Sequence, residues 1–148
     1  MKRLHDIALP FAIALAALAV SARAAQWTYD QTAQTLSDGA TTLANVTVVD
    51  AAAHTLSVGD NAATVVADGA LNLSGAVEDA GGTAWTIAAI GSDAFTANGT
   101  LADLTRPASL ESIGANAFGF CGSLTNMPAL PASLATLGDH AFQSVHRV

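Results

Sequence analysis

Three segments of this chain repeat one pattern, and that repetition constrains the fold more than any other feature. The first is Ile87-Ala-Ala-Ile90-Gly91-Ser-Asp93-Ala94-Phe95. The second is Leu110-Glu-Ser-Ile113-Gly114-Ala-Asn116-Ala117-Phe118, and the third is Leu134-Ala-Thr-Leu137-Gly138-Asp-His140-Ala141-Phe142. The step from Phe95 to Phe118 is twenty-three positions, and from Phe118 to Phe142 twenty-four. The intervals match as well. Asn98, Leu101 and Leu104 recur as Cys121, Leu124 and Met127. Arg106-Pro107-Ala108-Ser109 recurs as Leu130-Pro131-Ala132-Ser133, and the extra residue lies between Met127 and Pro131. Such a period, with apolar residues at fixed slots, predicts a solenoid in which each coil buries its apolar side on its neighbours.

Each slot has its own physical task. Leu or Ile at the first and fourth positions is expected to point into the core. The glycine that follows is expected to supply a backbone angle that a side chain would resist. Alanine before the Phe leaves room for close approach of one coil to the next. The Phe slot stacks one ring per coil into an internal spine, and such pairs add ~0.5–1.5 kcal/mol beyond their area. The Asn98/Cys121 slot suits a small buried polar group that closes a turn on the backbone. The Pro slot ends a short strand, because Pro cannot donate to a ladder.

These residues resemble the BspA-like leucine-rich repeats, whose unit reads approximately L-x-x-I-G-x-x-A-F-x-x-C-x-x-L-x-x-I-x-I-P-x-S. The likeness runs from Ile87 to Phe142, slot by slot, over two full units and part of a third. It departs from the pattern at Asn98 in place of Cys, at Arg106 in place of an apolar residue before Pro107, and at Val145 in the third Cys slot. Proteins of this family are typically secreted or at the cell surface, and some act as adhesins for extracellular-matrix proteins or other cells. The resemblance implies the same class of role here.

Residues 26–86 lack the repeat and read as short strands with turn punctuation. The runs are Trp27-Thr28-Tyr29, Val46–Val49, Thr55–Val58, Thr64–Val66 and Leu71–Leu73, and the turns include Asp38-Gly39, Gly59-Asp60-Asn61, Asp68-Gly69 and Gly81-Gly82. β-branched residues between turn clusters every ~8–12 residues favour β structure. Because a raw solenoid end exposes its core, residues 26–82 are expected to form a β cap, with Leu71–Leu73 as an atypical first coil. The chain stops after Val148 without a matching cap, so end-to-end self-association through an uncapped C-terminus is an expectation.

The N-terminus reads as an export signal. Met1-Lys2-Arg3 precedes an apolar run, Ile7–Val20, and Ser21-Ala22-Arg23-Ala24-Ala25 offers a small-x-small site with cleavage after Ala24. A run of that length is short of the ~20 residues a membrane span needs. Residues 25–148 then carry Arg106 and Arg147 against eleven acids, a formal net charge of -9 with no lysine. Such a surface repels phosphate and anionic lipid, so neither nucleic acid nor a membrane is an expected partner. Hydrophobic residues make up 51% of the chain, alanine being the commonest, and charged residues only 11%. That balance excludes a disordered tail and a coiled coil.

Motifs of nucleophilic, zinc, phosphate-loop or calcium chemistry are absent, so no catalytic, cofactor or metal residue is assigned and the chain is not read as an enzyme. His140 and His146 lie six residues apart and do not share a helical face. Asp93, Asn116 and His140 share one repeat slot, which reads either as a ligand ladder or, preferably, as a turn position tolerant of polar residues. Glu78-Asp79 reads as a solvated turn. Cys121, alone of its type, reads as a buried structural thiol. Asn45-Val-Thr47, Asn72-Leu-Ser74 and Asn98-Gly-Thr100 match the glycosylation triplet. Trp27, Tyr29 and Trp85 could stack on carbohydrate but are expected in core or cap packing.

The combined expectation is a mainly β chain: signal peptide 1–24, β-rich N-terminal cap 25–82, and leucine-rich repeats 83–148. Its function is that of an exported, non-catalytic interaction or adhesion module whose partners are extracellular or cell-surface proteins. The alternative is an N-terminal cap and spacer of a longer surface protein with no binding of its own.

Overall fold

The computed structural model describes residues 27–126 and 129–145, so the expected signal segment, Met127 and His146 lie outside the described residues. Eleven strands are present among the described residues and helix is confined to one 3-10 turn, Ala67–Gly69, so the chain is mainly β. The strands are β1 (Trp27–Asp30), β2 (Thr35–Ser37), β3 (Thr42–Leu43), β4 (Val46–Asp50), β5 (Thr55–Val58), β6 (Ala70–Asn72), β7 (Val77–Asp79), β8 (Ala84–Ile90), β9 (Asp103–Thr105), β10 (Ser112–Ile113) and β11 (Thr136–Leu137).

β8 joins the two halves. Its first residues pair antiparallel with β7, Trp85 opposite Val77, while its later residues pair parallel with β5 and β10. The repeat pattern places the strands in one parallel ladder, with Val58, Ile90, Ile113 and Leu137 in register. Ile87 and Ile90 both point inward although they are three apart, which breaks the two-residue period of a strand. The register slips by one between Leu56–Ile87 and Ser57–Ala89 to allow it. A second parallel ladder pairs Leu71 with Leu104 and carries on through the bridge from Asp103 to Asn126. Residues 55–72 therefore pair with the first repeat along both ladders.

The expected spine of rings is present. Phe95 and Phe118 stack at 5.5 Å and 7°, and Phe118 and Phe142 at 5.4 Å and 3°. Ala94 and Ala117, which precede the first two of these rings in sequence, are fully buried. Phe95 and Phe118 are buried, whereas Phe142 is half-buried and Leu137 is 49% exposed.

The glycine slot works differently from the sequence expectation. Gly91, Gly114 and Gly138 do not adopt positive φ. A Cβ at Gly114 would lie 2.3 Å from the Ser92 N, and one at Gly138 2.3 Å from the Ala115 N. Glycine is needed because successive backbones touch. Positive φ falls instead on Asp93 (55°), Asn116 (53°) and His140 (58°), and again on Ala97, Phe120 and Ser144.

Two further expectations are corrected. Thr64–Val66 is not a strand: its backbone is taken by side chains, the Val66 N–H donating to Thr100 Oγ1 at 3.0 Å and the Thr64 carbonyl accepting from Asn98 Nδ2 at 2.8 Å. Glu78-Asp79 is not a solvated turn but part of β7, held between β1 and β8.

Candidate functional site: the repeat sheet and its turns

Each repeat is fastened to the next by side chains that sequence had placed in distinct slots. Asn98, 1% exposed, donates from Nδ2 to the Asn61 and Thr64 carbonyls, and its Oδ1 accepts from the Thr100 N–H, the Thr100 hydroxyl and the Leu101 N–H. One amide thus closes its own turn and ties it to the preceding segment, using both ends of the group. Cys121 in the next coil keeps one of these tasks: its buried Sγ donates to the Phe95 carbonyl at 2.9 Å. Burial pushes the Cys121 thiol pKa up, which disfavours the reactive thiolate. Of the three glycosylation triplets, the one at Asn98 is therefore sealed inside the fold. Asn45 is exposed, and Asn72 is partly buried with Oδ1 accepting from the Ser74 N–H and hydroxyl.

The Pro-x-Ser motif carries a tie that sequence reasoning missed. Ser109 Oγ donates to the Ile87 carbonyl at 3.2 Å, and Ser133 Oγ lies 2.8 Å from both the Ala108 and Leu110 carbonyls. The signal was legible in the recurrence of Ser at a fixed distance after Pro.

The shared slot of Asp93, Asn116 and His140 also has a local cause. These three residue types are enriched in the left-handed region that all three adopt here. The Asp93 N–H donates to the Ala115 carbonyl and the Asn116 N–H to the Asp139 carbonyl, so the slot is a rung between coils. Among the described residues no group of three or more His, Cys, Asp or Glu could hold a metal ion.

Residues 85–148 match the family model described as BspA type Leucine rich repeat region (6 copies). This segment is a BspA-type leucine-rich repeat region. No curated protein and no solved structure matches the chain.

The surface of the leucine-rich repeat sheet is built from small side chains. Ser57, Ala89, Ser112 and Thr136 stand in register across β5, β8, β10 and β11, partly or fully exposed. No large side chain stands at these four positions. Arg106 departs from the apolar slot of the repeat, and its Nε is buried without a hydrogen-bond partner beside Leu104, Leu110 and Phe118.

The aromatic residues of the N-terminal half are packed away. Trp27 is fully buried, with Nε1 donating to the Asn72 carbonyl at 2.8 Å. Trp85 meets Tyr29 edge-on at 5.2 Å and His54 at 5.0 Å. Asp79 ties this cluster together. Its carboxylate accepts from Trp85 Nε1 (3.0 Å), Gln31 Nε2 (3.1 Å) and the Gly81 and Thr83 N–H groups (both 2.9 Å). The Trp85 bond first, then the Thr83 N–H, lowers its pKa from 3.8 to about 2. Among the described residues no helix is long and apolar enough to cross a membrane.

Proposed function

We propose that this chain is an exported, non-catalytic protein-interaction module whose stacked repeats form a short solenoid, with residues 25–82 as its β-rich cap. The observation that carries the reading is the in-register repeat sheet of Ser57, Ala89, Ser112 and Thr136. A sheet surface of small side chains binds protein through many shallow contacts, and the leucine-rich repeat family is commonly secreted or at the cell surface. The net charge of -9 on residues 25–148 favours partners with basic patches. Adhesion to extracellular-matrix proteins is the specific form proposed. Leu137, 49% exposed, and half-buried Phe142 support a second contact between copies through the last described coil.

Binding of the secreted protein to immobilised matrix proteins tests this. Ser112→Arg places a long cation in the middle of the sheet and should abolish binding while leaving the denaturation midpoint unchanged. Binding that survives this variant would remove the repeat sheet as the contact surface. Export is tested separately: secreted material should begin at Ala25, and material that retains Met1–Val20 would sink that part of the proposal.

A further inference from the structure

We propose that the outward side of the third repeat is a docking site for a Gly-x-x-Ala-Phe segment of another polypeptide. The contacts between repeats show twice what such a side carries. From the first repeat, the Asp93, Phe95 and Ala97 N–H groups donate to the Ala115, Ala117 and Gly119 carbonyls of the second, at 2.9, 2.7 and 2.7 Å. From the second, the Asn116, Phe118 and Phe120 N–H groups donate to the Asp139, Ala141 and Gln143 carbonyls of the third, at 3.0, 2.8 and 2.7 Å. His140, Phe142 and Ser144 hold the same slots in the third repeat, and their N–H groups have no acceptor among the described residues. The apolar groups beside them are open in the same way. Leu137 is 49% exposed where its counterparts Ile90 and Ile113 are buried. Phe142 stacks on Phe118 at 5.4 Å, and among the described residues no ring lies on its other face.

Backbone geometry selects the occupant. Three N–H groups two residues apart need three carbonyls with the same spacing. In both interior contacts those carbonyls belong to the residue after the glycine, the alanine before the Phe and the residue after the Phe. The glycine itself is required. A Cβ at Gly114 would lie 2.3 Å from the Ser92 N and one at Gly138 2.3 Å from the Ala115 N. The equivalent atom offered by the third repeat is the Asp139 N, so a side chain at this slot of the occupant would hold the two backbones apart. The Gly114 and Gly138 N–H groups donate to the Ile90 and Ile113 carbonyls, at 2.8 and 2.7 Å. An incoming glycine would donate in the same manner to the Leu137 carbonyl, while the occupant's Phe stacks on Phe142.

A folded second copy does not supply such a segment, because each of its glycines already has this side against preceding chain. The Gly91 N–H is taken by the Val58 carbonyl at 2.7 Å, as those of Gly114 and Gly138 are by Ile90 and Ile113. The occupant is therefore a segment whose glycine side is free. A contact between copies at this end would compete with it. The inference continues the interface between repeats and depends neither on export nor on binding at the repeat sheet.

The probe is the peptide of residues 109–120, acetyl-Ser-Leu-Glu-Ser-Ile-Gly-Ala-Asn-Ala-Phe-Gly-Phe-amide, titrated into isotopically labelled protein. Binding should saturate, with a Kd of about 1 mM or tighter. Amide shifts should concentrate in residues 137–144, and exchange of the Phe142 amide should slow. The peptide carrying Gly114→Ala should bind about tenfold more weakly or not at all. The peptide carrying Phe118→Ala should also bind more weakly. In the protein, Leu137→Asp places a charge on an already exposed position and should abolish binding. If that variant fails to fold, the glycine and alanine peptides on the unaltered protein carry the result. The proposal is overturned if the parent peptide shows no saturable binding or if the Gly114→Ala peptide binds as well. It is equally overturned if the shifts fall elsewhere, or if the same amides shift with protein concentration alone and a dimer excludes the peptide.

Discussion

An alanine at Gly114 would put its Cβ 2.3 Å from the Ser92 N and 2.6 Å from the Gly91 carbonyl carbon. Both are backbone atoms of the preceding coil, so neither can swing aside. Gly114→Ala should therefore destabilise the protein by roughly 1–3 kcal/mol, the range for overpacking. Gly99 has open space around it and no positive φ, so Gly99→Ala should be close to neutral. Equal denaturation midpoints for the two variants would contradict this account of the glycine slot. Arg106 presents the opposite case. Its unpartnered buried Nε costs about 1–3 kcal/mol of desolvation. Arg106→Leu restores the apolar slot and should raise the urea midpoint, by about 1 kcal/mol in stability, with an unchanged denaturant slope.

At the scale of elements, stability runs along the ring stack. Phe118 has a ring on each side, at 5.5 and 5.4 Å, whereas Phe142 has one and is half-buried. Phe118→Ala should cost ~3–5 kcal/mol, through lost transfer energy plus a cavity. Against a total of ~5–15 kcal/mol this comes close to unfolding the coils. Phe142→Ala should cost clearly less, because its ring gives up less buried area. Chemical denaturation of both variants checks the order, and equal costs would refute the stacked register. The strand β8 is the other element that decides the outcome. It belongs to the β7 hairpin at Trp85 and to the repeat ladder at Ile90, so loss of either half should be felt in the other.

For the whole molecule, acid is the condition that reaches the junction between the halves. Asp79 binds Trp85, Gln31, Gly81 and Thr83 as a carboxylate, with its pKa lowered from 3.8 to about 2. The stability this adds is fully present above pH ~4 and is lost as pH falls through about 2. Asp50, bonded by the Ala53 and Ala52 N–H groups, is shifted in the same direction. The acid-unfolding curve followed by Trp fluorescence should fall in this window. Asp79→Asn should lower stability at pH 7 and flatten the curve between about pH 4 and 2, and an unchanged curve would count against the role given to Asp79.

Sequence alone determined the features that repeat. The recurring phase of the Phe and Leu slots marked the residues that point inward in the first two repeats, the rings that stack and the slot that holds Asn98 or Cys121, because each is decided by a residue's own size, polarity and spacing; in the third repeat Leu137 is exposed instead. The tertiary structure decided what depends on a neighbour distant in sequence. Gly91, Gly114 and Gly138 look like turn glycines until the preceding coil is seen lying against them. Thr64-Val65-Val66 has strand composition, yet Asn98 and Thr100, far along the chain, take its backbone groups before any strand can. Asp79 reads as a solvated carboxylate until Trp85 and Gln31 converge on it. Pairing of β5 and β6 with the first repeat was marked only by Leu71–Leu73, because a parallel ladder needs backbone proximity and not a shared motif. Residue type carries local conformation and burial, while close backbone contact and strand pairing are set only once the repeats lie against one another.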